Sequence, residues 1–135
     1  TGVAVPMAGT ASLISQYDGF VFCTANQIYV GGFYRIPNTT NLNATLRANA
    51  PAFLVDGTGG QIPASQIRWS SSGNGDGTTA QPFPAGVFTG GLQTLATNFA
   101  RNSWRESCHS FEYLNSSYVG AGTYNMRVVY TLTAP

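Results

Sequence analysis

The only histidine of the chain directly follows one of its two cysteines. A thiolate next to an imidazole is the nucleophile pair of cysteine hydrolases, and Cys108 with His109 has the residue types for it. On a β-strand, however, successive side chains point to opposite faces, so these two would not meet. We therefore predict a surface position for His109. For Cys108 we predict a disulfide with Cys23 in an oxidising compartment, with two buried thiols in a reducing cytosol as the alternative.

Two glutamates could form a carboxylate pair of the glycosidase type. Glu106 and Glu112 are six residues apart, so both would lie on one face of a strand. Arg101 and Arg105 are close in sequence, and a surface patch of ion pairs is the interpretation we favour. Such exposed pairs contribute about 0–1 kcal/mol to stability.

Metal and cofactor chemistry finds little support in the sequence. Asn74-Gly75-Asp76-Gly77 is similar to part of a calcium loop, but it has neither the remaining oxygen ligands nor the bidentate glutamate. One histidine and five scattered carboxylates do not make a zinc site. No acid, base and nucleophile converge. We predict no catalytic residue, no metal site and no cofactor, and hence a protein that is not an enzyme.

Composition limits the remaining classes. The chain has 135 residues, six of them arginine and none lysine, with only 8 % charged residues and a net charge of +1. This charge is too low for the basic surface that nucleic-acid binding needs. No run of eighteen apolar residues is present, so we expect no membrane insertion. Because the sequence begins at Thr1 without a leader, we expect a mature, secreted chain.

The elements that would position these residues are strands. Apolar residues alternate with polar ones in short segments that Gly, Pro and Asn separate, and no segment shows helical periodicity. These patterns predict an all-β fold, an antiparallel β-sandwich. Gly31-Gly32 indicates a bulge or a close backbone approach, and residues 70–84 a long loop. The predicted strands are 20–23, 27–34, 42–48, 53–55, 65–70, 92–97, 107–114 and 124–133.

The last predicted strand has the clearest pattern. It is longer than most strands, so we expect it to run the length of the domain. A strand of this kind needs neighbours on both sides or becomes an adhesive edge. The residues predicted to face the core are Tyr124, Met126, Val128, Tyr130 and Leu132, and those predicted to face solvent are Asn125, Arg127, Val129, Thr131 and Thr133.

The first sixteen residues have a different character. Residues 1–16 carry no charged side chain, and short apolar alternations surround a possible hinge at Gly9. Pro6 suits an edge strand rather than a central one. We therefore divide the chain into an N-terminal extension, residues 1–16, and a sandwich domain, residues 17–135.

A family resemblance rests on three short stretches in the second half. Residues 61–69 (Gln-Ile-Pro-Ala-Ser-Gln-Ile-Arg-Trp), Ala121-Gly122-Thr123-Tyr124 and Val128-Val129-Tyr130-Thr131-Leu132 resemble the immunoglobulin-like surface and pilus subunits of prokaryotes. The group includes spore-coat-U and archaic chaperone–usher pilins and related donor-strand filament proteins. The resemblance implies an immunoglobulin-like antiparallel β-sandwich, and in such families an N-terminal extension of one subunit completes the sandwich of the next. The resemblance implies a periplasmic chaperone and usher as partners, and it implies subunit–subunit contacts through Val3, Val5, Met7, Leu13 and Ile14.

Two hypotheses from different classes follow. The first is an extracellular structural subunit of a pilus or cell-surface filament, a homopolymer assembled by β-strand addition. The second is a monomeric carbohydrate-binding or adhesin domain that uses exposed aromatic rings such as Trp69 and Trp104. A capsid or phage-tail decoration protein is a further alternative.

Overall fold

The computed structural model describes residues 3–4, 23, 26–37, 42–72, 83–100, 102–116 and 118–135. These residues form ten strands and one 3-10 turn, Ala64–Gln66. The strands are β1 Val3–Ala4, β2 Gln27–Tyr34, β3 Ala44–Asn49, β4 Phe53–Val55, β5 Gln61–Pro63, β6 Ile67–Ser72, β7 Gly86–Val87, β8 Leu92–Phe99, β9 Ser103–Tyr113 and β10 Val129–Thr133.

The strands form two main sheets, and every pairing is antiparallel. In the first sheet β9 pairs with β6 on one edge and with both β1 and β2 on the other, and β7 follows β6. The second sheet has the order β10-β3-β8, and β4 and β5 form a separate hairpin. The sheets pack as a sandwich, which confirms the predicted all-β class.

Aromatic rings fill the space between the sheets. The Trp69 ring lies 4.9 Å from that of Phe88, which lies 6.0 Å from that of Phe111. The indole N–H of Trp69 donates to the carbonyl of Pro84 at 2.9 Å, so burial leaves no polar atom of this ring unpaired. Small residues of β3, among them Ala44 and Ala48, belong to the same buried cluster as these rings. Buried aromatic pairs contribute about 0.5–1.5 kcal/mol each beyond the area that they bury.

Most predicted strands are confirmed, and β2 has the predicted bounds. Its two glycines produce no bulge, because the register with β9 is regular from Gln27 to Tyr34. They allow a close approach instead: a Cβ on Gly31 would lie 2.8 Å from the Tyr29 hydroxyl oxygen. Of the predicted strand 20–23, only Cys23 lies within the described residues, and most of the predicted loop 70–84 lies outside them.

The C-terminal stretch follows the predicted alternation from Tyr124 to Thr133, with one face partly buried and the other exposed. Its regular part, β10, is shorter than predicted. Upstream, the N–H and C=O of Asn125 bond with those of Val55 in β4, each at 2.9 Å. Along the chain, the stretch therefore runs first beside β4 and then beside β3. It is interrupted where the chain passes Pro51, which lies between those two strands.

The predicted disulfide is present. Cys23 and Cys108 are bonded, with 5.3 Å between their Cα atoms and a sequence separation of 85 residues. The bond joins the residues before β2 to the middle of β9, and both cysteines are buried. Their nearest apolar neighbour in this cluster is Tyr29. Among the described residues, no helix is long and apolar enough to cross a membrane.

Replacing both cysteines, Cys23→Ser with Cys108→Ser, should strongly destabilise the fold. The disulfide closes a loop of 85 residues, for which chain entropy predicts a loss of up to about 4–5 kcal/mol in the free energy of unfolding. Urea denaturation followed by tryptophan fluorescence measures it, and the reduced wild type should show a similar loss. A double variant as stable as the oxidised wild type would contradict this role.

Candidate strand-addition site

The edge of β9 that faces away from β6 is shared by two strands. β2 occupies it from Ser103 to Ser110, and β1 occupies it at Glu112 and Tyr113. Both strands are antiparallel to β9, so they run in the same direction, one behind the other. Only Phe111 separates their pairing positions. β1 and β2 therefore lie end to end along the same edge of β9. Residues 5–26 connect them in the sequence.

The two strands are held very differently. β2 forms eight residue pairs with β9, whereas β1 forms two, Val3 with Tyr113 and Ala4 with Glu112. Each hydrogen bond contributes about 0.5–1.5 kcal/mol net, so two pairs at a sheet edge hold a segment weakly. Of the predicted subunit-contact residues, only Val3 lies within the described part of the chain, whereas Val5, Met7, Leu13 and Ile14 lie outside it.

The second candidate edge is the side of β10 that faces away from β3. Among the described residues, no strand pairs with this side. Its core-facing residues Tyr130 and Leu132 are only partly buried, and Val129 on the outer face is 47 % exposed. An edge strand of this kind presents backbone N–H and C=O groups that can pair with a further strand.

A buried polar contact links the two edges through the core. His109 is fully buried, and its Nδ1 lies 3.2 Å from the hydroxyl of Tyr130 in β10. The ring of Phe83 packs edge-on against it at 6.3 Å. Burial lowers the pKa of His109 to about 4 and raises the pKa of Tyr130. The imidazole is therefore neutral at neutral pH.

The predicted surface position of His109 is wrong. In β9 its pairing partners are Ile28 on one edge and Ser71 on the other, and the second sheet covers its face. The prediction that Cys108 and His109 point to opposite faces is confirmed, since one forms the disulfide and the other contacts Tyr130. This geometry does not support a cysteine–histidine nucleophile.

The predicted ion-pair patch is confirmed only in that Glu112 forms a surface ion pair, and its partner Arg68 is not one of the two arginines named from the sequence. Glu112 is partly exposed and pairs with Arg68 of the neighbouring strand β6, at 2.5 Å and 3.1 Å from its Nη2 and Nε. Glu106 is fully buried instead and accepts a hydrogen bond from the hydroxyl of Tyr29 in β2. The two carboxylates thus have different partners, one structural and one at the surface.

Trp69, one of the two tryptophans expected to bind carbohydrate, is not exposed. Trp69 is only 5 % exposed and belongs to the core, and the side chain of Trp104 lies outside the described residues. Tyr118, in contrast, is fully exposed. Within the described part of the chain, no three His, Cys, Asp or Glu residues lie close enough to hold a metal ion.

Sequence reasoning found most of β9 but missed its first four residues. β9 begins at Ser103, four residues before the predicted strand at Ser107, and its first residues pair with the far end of β2. Arg105 and Glu106 interrupt the apolar alternation there, so local periodicity gives no strand signal. The one usable signal was Gly31-Gly32, which indicates that a neighbouring strand comes close.

The buried Tyr29–Glu106 hydrogen bond gives a direct test of this interpretation. Tyr29→Phe removes the donor and should lower the free energy of unfolding by about 1–3 kcal/mol, because a buried carboxylate oxygen then loses a partner. The matched control is Tyr118→Phe, which removes the same hydroxyl from a fully exposed ring and should change little. Equal effects of the two variants in urea denaturation would argue against a structural role for the contact.

Stability should fall as the pH drops from 6.5 to 4. Over this range His109 becomes protonated in the unfolded chain but stays neutral in the folded chain, where its pKa is about 4. The free energy of unfolding should therefore fall by about 3 kcal/mol over the whole range. Denaturation midpoints measured across this range should show it, and His109→Gln should flatten the curve. The backbone N–H of Thr58 lowers the pKa of Asp56 from its usual value of 3.8. Protonation of Asp56 therefore affects the stability only at lower pH. An unchanged slope in His109→Gln would contradict the assignment.

Comparison with protein-family models, with curated proteins and with solved structures found no match for this chain. Neither a family nor a related structure therefore adds to the description of the site. The pairing of β1 with β9, the side of β10 away from β3 and the disulfide are the observations on which a functional assignment rests.

Proposed function

We propose that this protein is an extracellular structural subunit that assembles into a cell-surface filament by β-strand addition. In the assembly, the N-terminal segment of one copy pairs with β9 of the next copy. The observation that carries the proposal is the position of β1. Residues 1–16, which the sequence predicts to be the donor segment, contain β1 at a sheet edge. Only two residue pairs hold β1 there.

Strand exchange between copies preserves every contact that the closed subunit makes, so its cost in free energy is low. The edge beside Glu112 and Tyr113 accepts β1 of its own chain, and the same edge can accept the same segment of another copy. The connecting segment is long enough for this. Cys23 is anchored by its disulfide, and residues 5–22 would span about 60 Å when extended.

The donor would extend beyond β1. Val5 and Met7 continue the alternation that Val3 begins, and Leu13 and Ile14 come after the hinge at Gly9. Main-chain hydrogen bonds would supply affinity, and the alternate apolar side chains would fix the register. A periplasmic chaperone and an usher, which the family resemblance implies, would protect the edge of β9 until the next subunit arrives.

The disulfide supports the proposed location. Structural disulfides form and persist in secreted and periplasmic proteins and are rare in the cytosol. The bond between Cys23 and Cys108 lies directly behind the acceptor edge, because Cys108 belongs to β9. It fixes the chain at Cys23, after the proposed N-terminal extension, so a pull on that extension would be transmitted to the central strand.

A cysteine pair across the β1–β9 contact tests the exchange. Ala4 and Glu112 are paired residues, and Cα atoms of antiparallel pairs are about 4.5–5.5 Å apart, within the range for a disulfide. Assembled Ala4→Cys/Glu112→Cys protein, oxidised and run on a denaturing gel without reductant, should give a ladder of covalent multimers. The Ala4→Cys/Thr94→Cys variant should give none, because Thr94 lies on β8 in the other sheet.

Two results would reject the proposal. The first is material that electron microscopy shows as filaments but in which the Ala4–Glu112 link is entirely intramolecular. The second is wild-type protein that remains as single particles under every condition of assembly.

A further inference from the structure

We infer that β10 is a second self-association edge, at which β10 of one copy pairs antiparallel with β10 of another about a two-fold axis at Thr131. The two three-stranded sheets would then join into one sheet of six strands. This contact is separate from the exchange of β1. It would join subunits side by side, whereas the exchange joins them end to end.

The edge of β10 lacks the features that protect other edges. Its five residues, Val129–Thr133, include no charge, proline or glycine, and they pair with β3 in an unbroken register. Of the other edge strands of the two main sheets, β7 has only two residues, the register of β8 with β3 is shifted twice, and β2 has two glycines in its middle, which weaken a strand. Charges, bulges and short lengths are how proteins prevent edge-to-edge pairing, and β10 uses none of them.

The residues of β10 are complementary to themselves in this arrangement. With Thr131 opposite Thr131, each Val129 faces a Thr133 on the outer side, and such β-branched pairs are favourable. On the core side each Tyr130 faces a Leu132, and both are partly buried residues that the second copy would cover. Arg47 of β3 pairs with Thr131 on the side away from the axis, so three strand spacings separate its two copies. Within the C-terminal stretch the nearest charged residue is Arg127, four positions from the axis, so the two copies of Arg127 lie at opposite ends of the pairing.

The interface would be small. Two five-residue strands bury much less than the roughly 1,200 Å² of a standard stable complex, so an isolated pair should dissociate at about 0.1–1 mM. In a filament, many copies are presented together, and their effective concentration makes weak contacts sufficient. The geometry therefore points to reversible side-by-side association of filaments.

A charge-swap experiment tests the inference separately from the proposed function. The background is the full chain with Ala4→Cys/Glu112→Cys, purified as the intramolecularly linked monomer, in which β1 cannot exchange. Sedimentation equilibrium up to about 1 mM should show dimers. Val129→Lys/Thr133→Lys should weaken them about tenfold or more, because like charges then face each other twice. Val129→Glu/Thr133→Glu should do the same, and an equimolar mixture of the two variants should restore dimers.

The matched control is Leu92→Lys/Thr94→Lys, at exposed positions of β8 on the other edge of the same sheet. It adds the same charge and should dimerise like the background protein. Thermal denaturation confirms that each variant is folded. The inference is overturned if the linked protein stays monomeric at about 1 mM, as it would if residues 5–22 of its own chain covered β10. It is also overturned if the mixture fails to restore dimers, or if the β8 control loses them.

Discussion

The antiparallel pairing of β9 is the interaction on which the rest of the structure depends. This one strand pairs with β1, β2 and β6, so it joins three strands that are far apart in sequence. Its alternation also fixes what each face carries: Cys108 points outward to the disulfide and His109 inward to Tyr130. A shift of register by one residue would exchange these faces. It would bury Cys108 in the core and separate it from Cys23.

From this constraint follows the difference between the two strands on the outer edge of β9. β2 is held by eight pairs, by the disulfide just before it and by the Tyr29–Glu106 hydrogen bond, whereas β1 has two pairs. The domain therefore has a firmly held part of the edge and a weakly held part in one line. The filament subunit that we propose would need this combination, because its fold must persist while its connection to the neighbour is made.

The parts of the fold that local pattern determines could be predicted from the sequence. The alternation from Tyr124 to Thr133 predicted the correct face of every residue. A strand with one solvated side alternates apolar and polar residues, so the sequence alone shows which face is buried. The interruption of that strand could not be predicted, because it occurs beside Pro51, which is far away in sequence. His109 and Glu106 were misplaced for the same reason: polar residues suggest a surface, whereas the neighbours Tyr130 and Tyr29 help to make their burial tolerable.

The central claim, that β1 of one subunit lies on β9 of the next, is tested most directly by electron cryo-microscopy of assembled material at a resolution that traces the backbone. The account predicts continuous density from residue 23 of one subunit to a strand beside Glu112 and Tyr113 of its neighbour. Density that returns Val3 and Ala4 to β9 of their own subunit, in a filament held together by other surfaces, would contradict it.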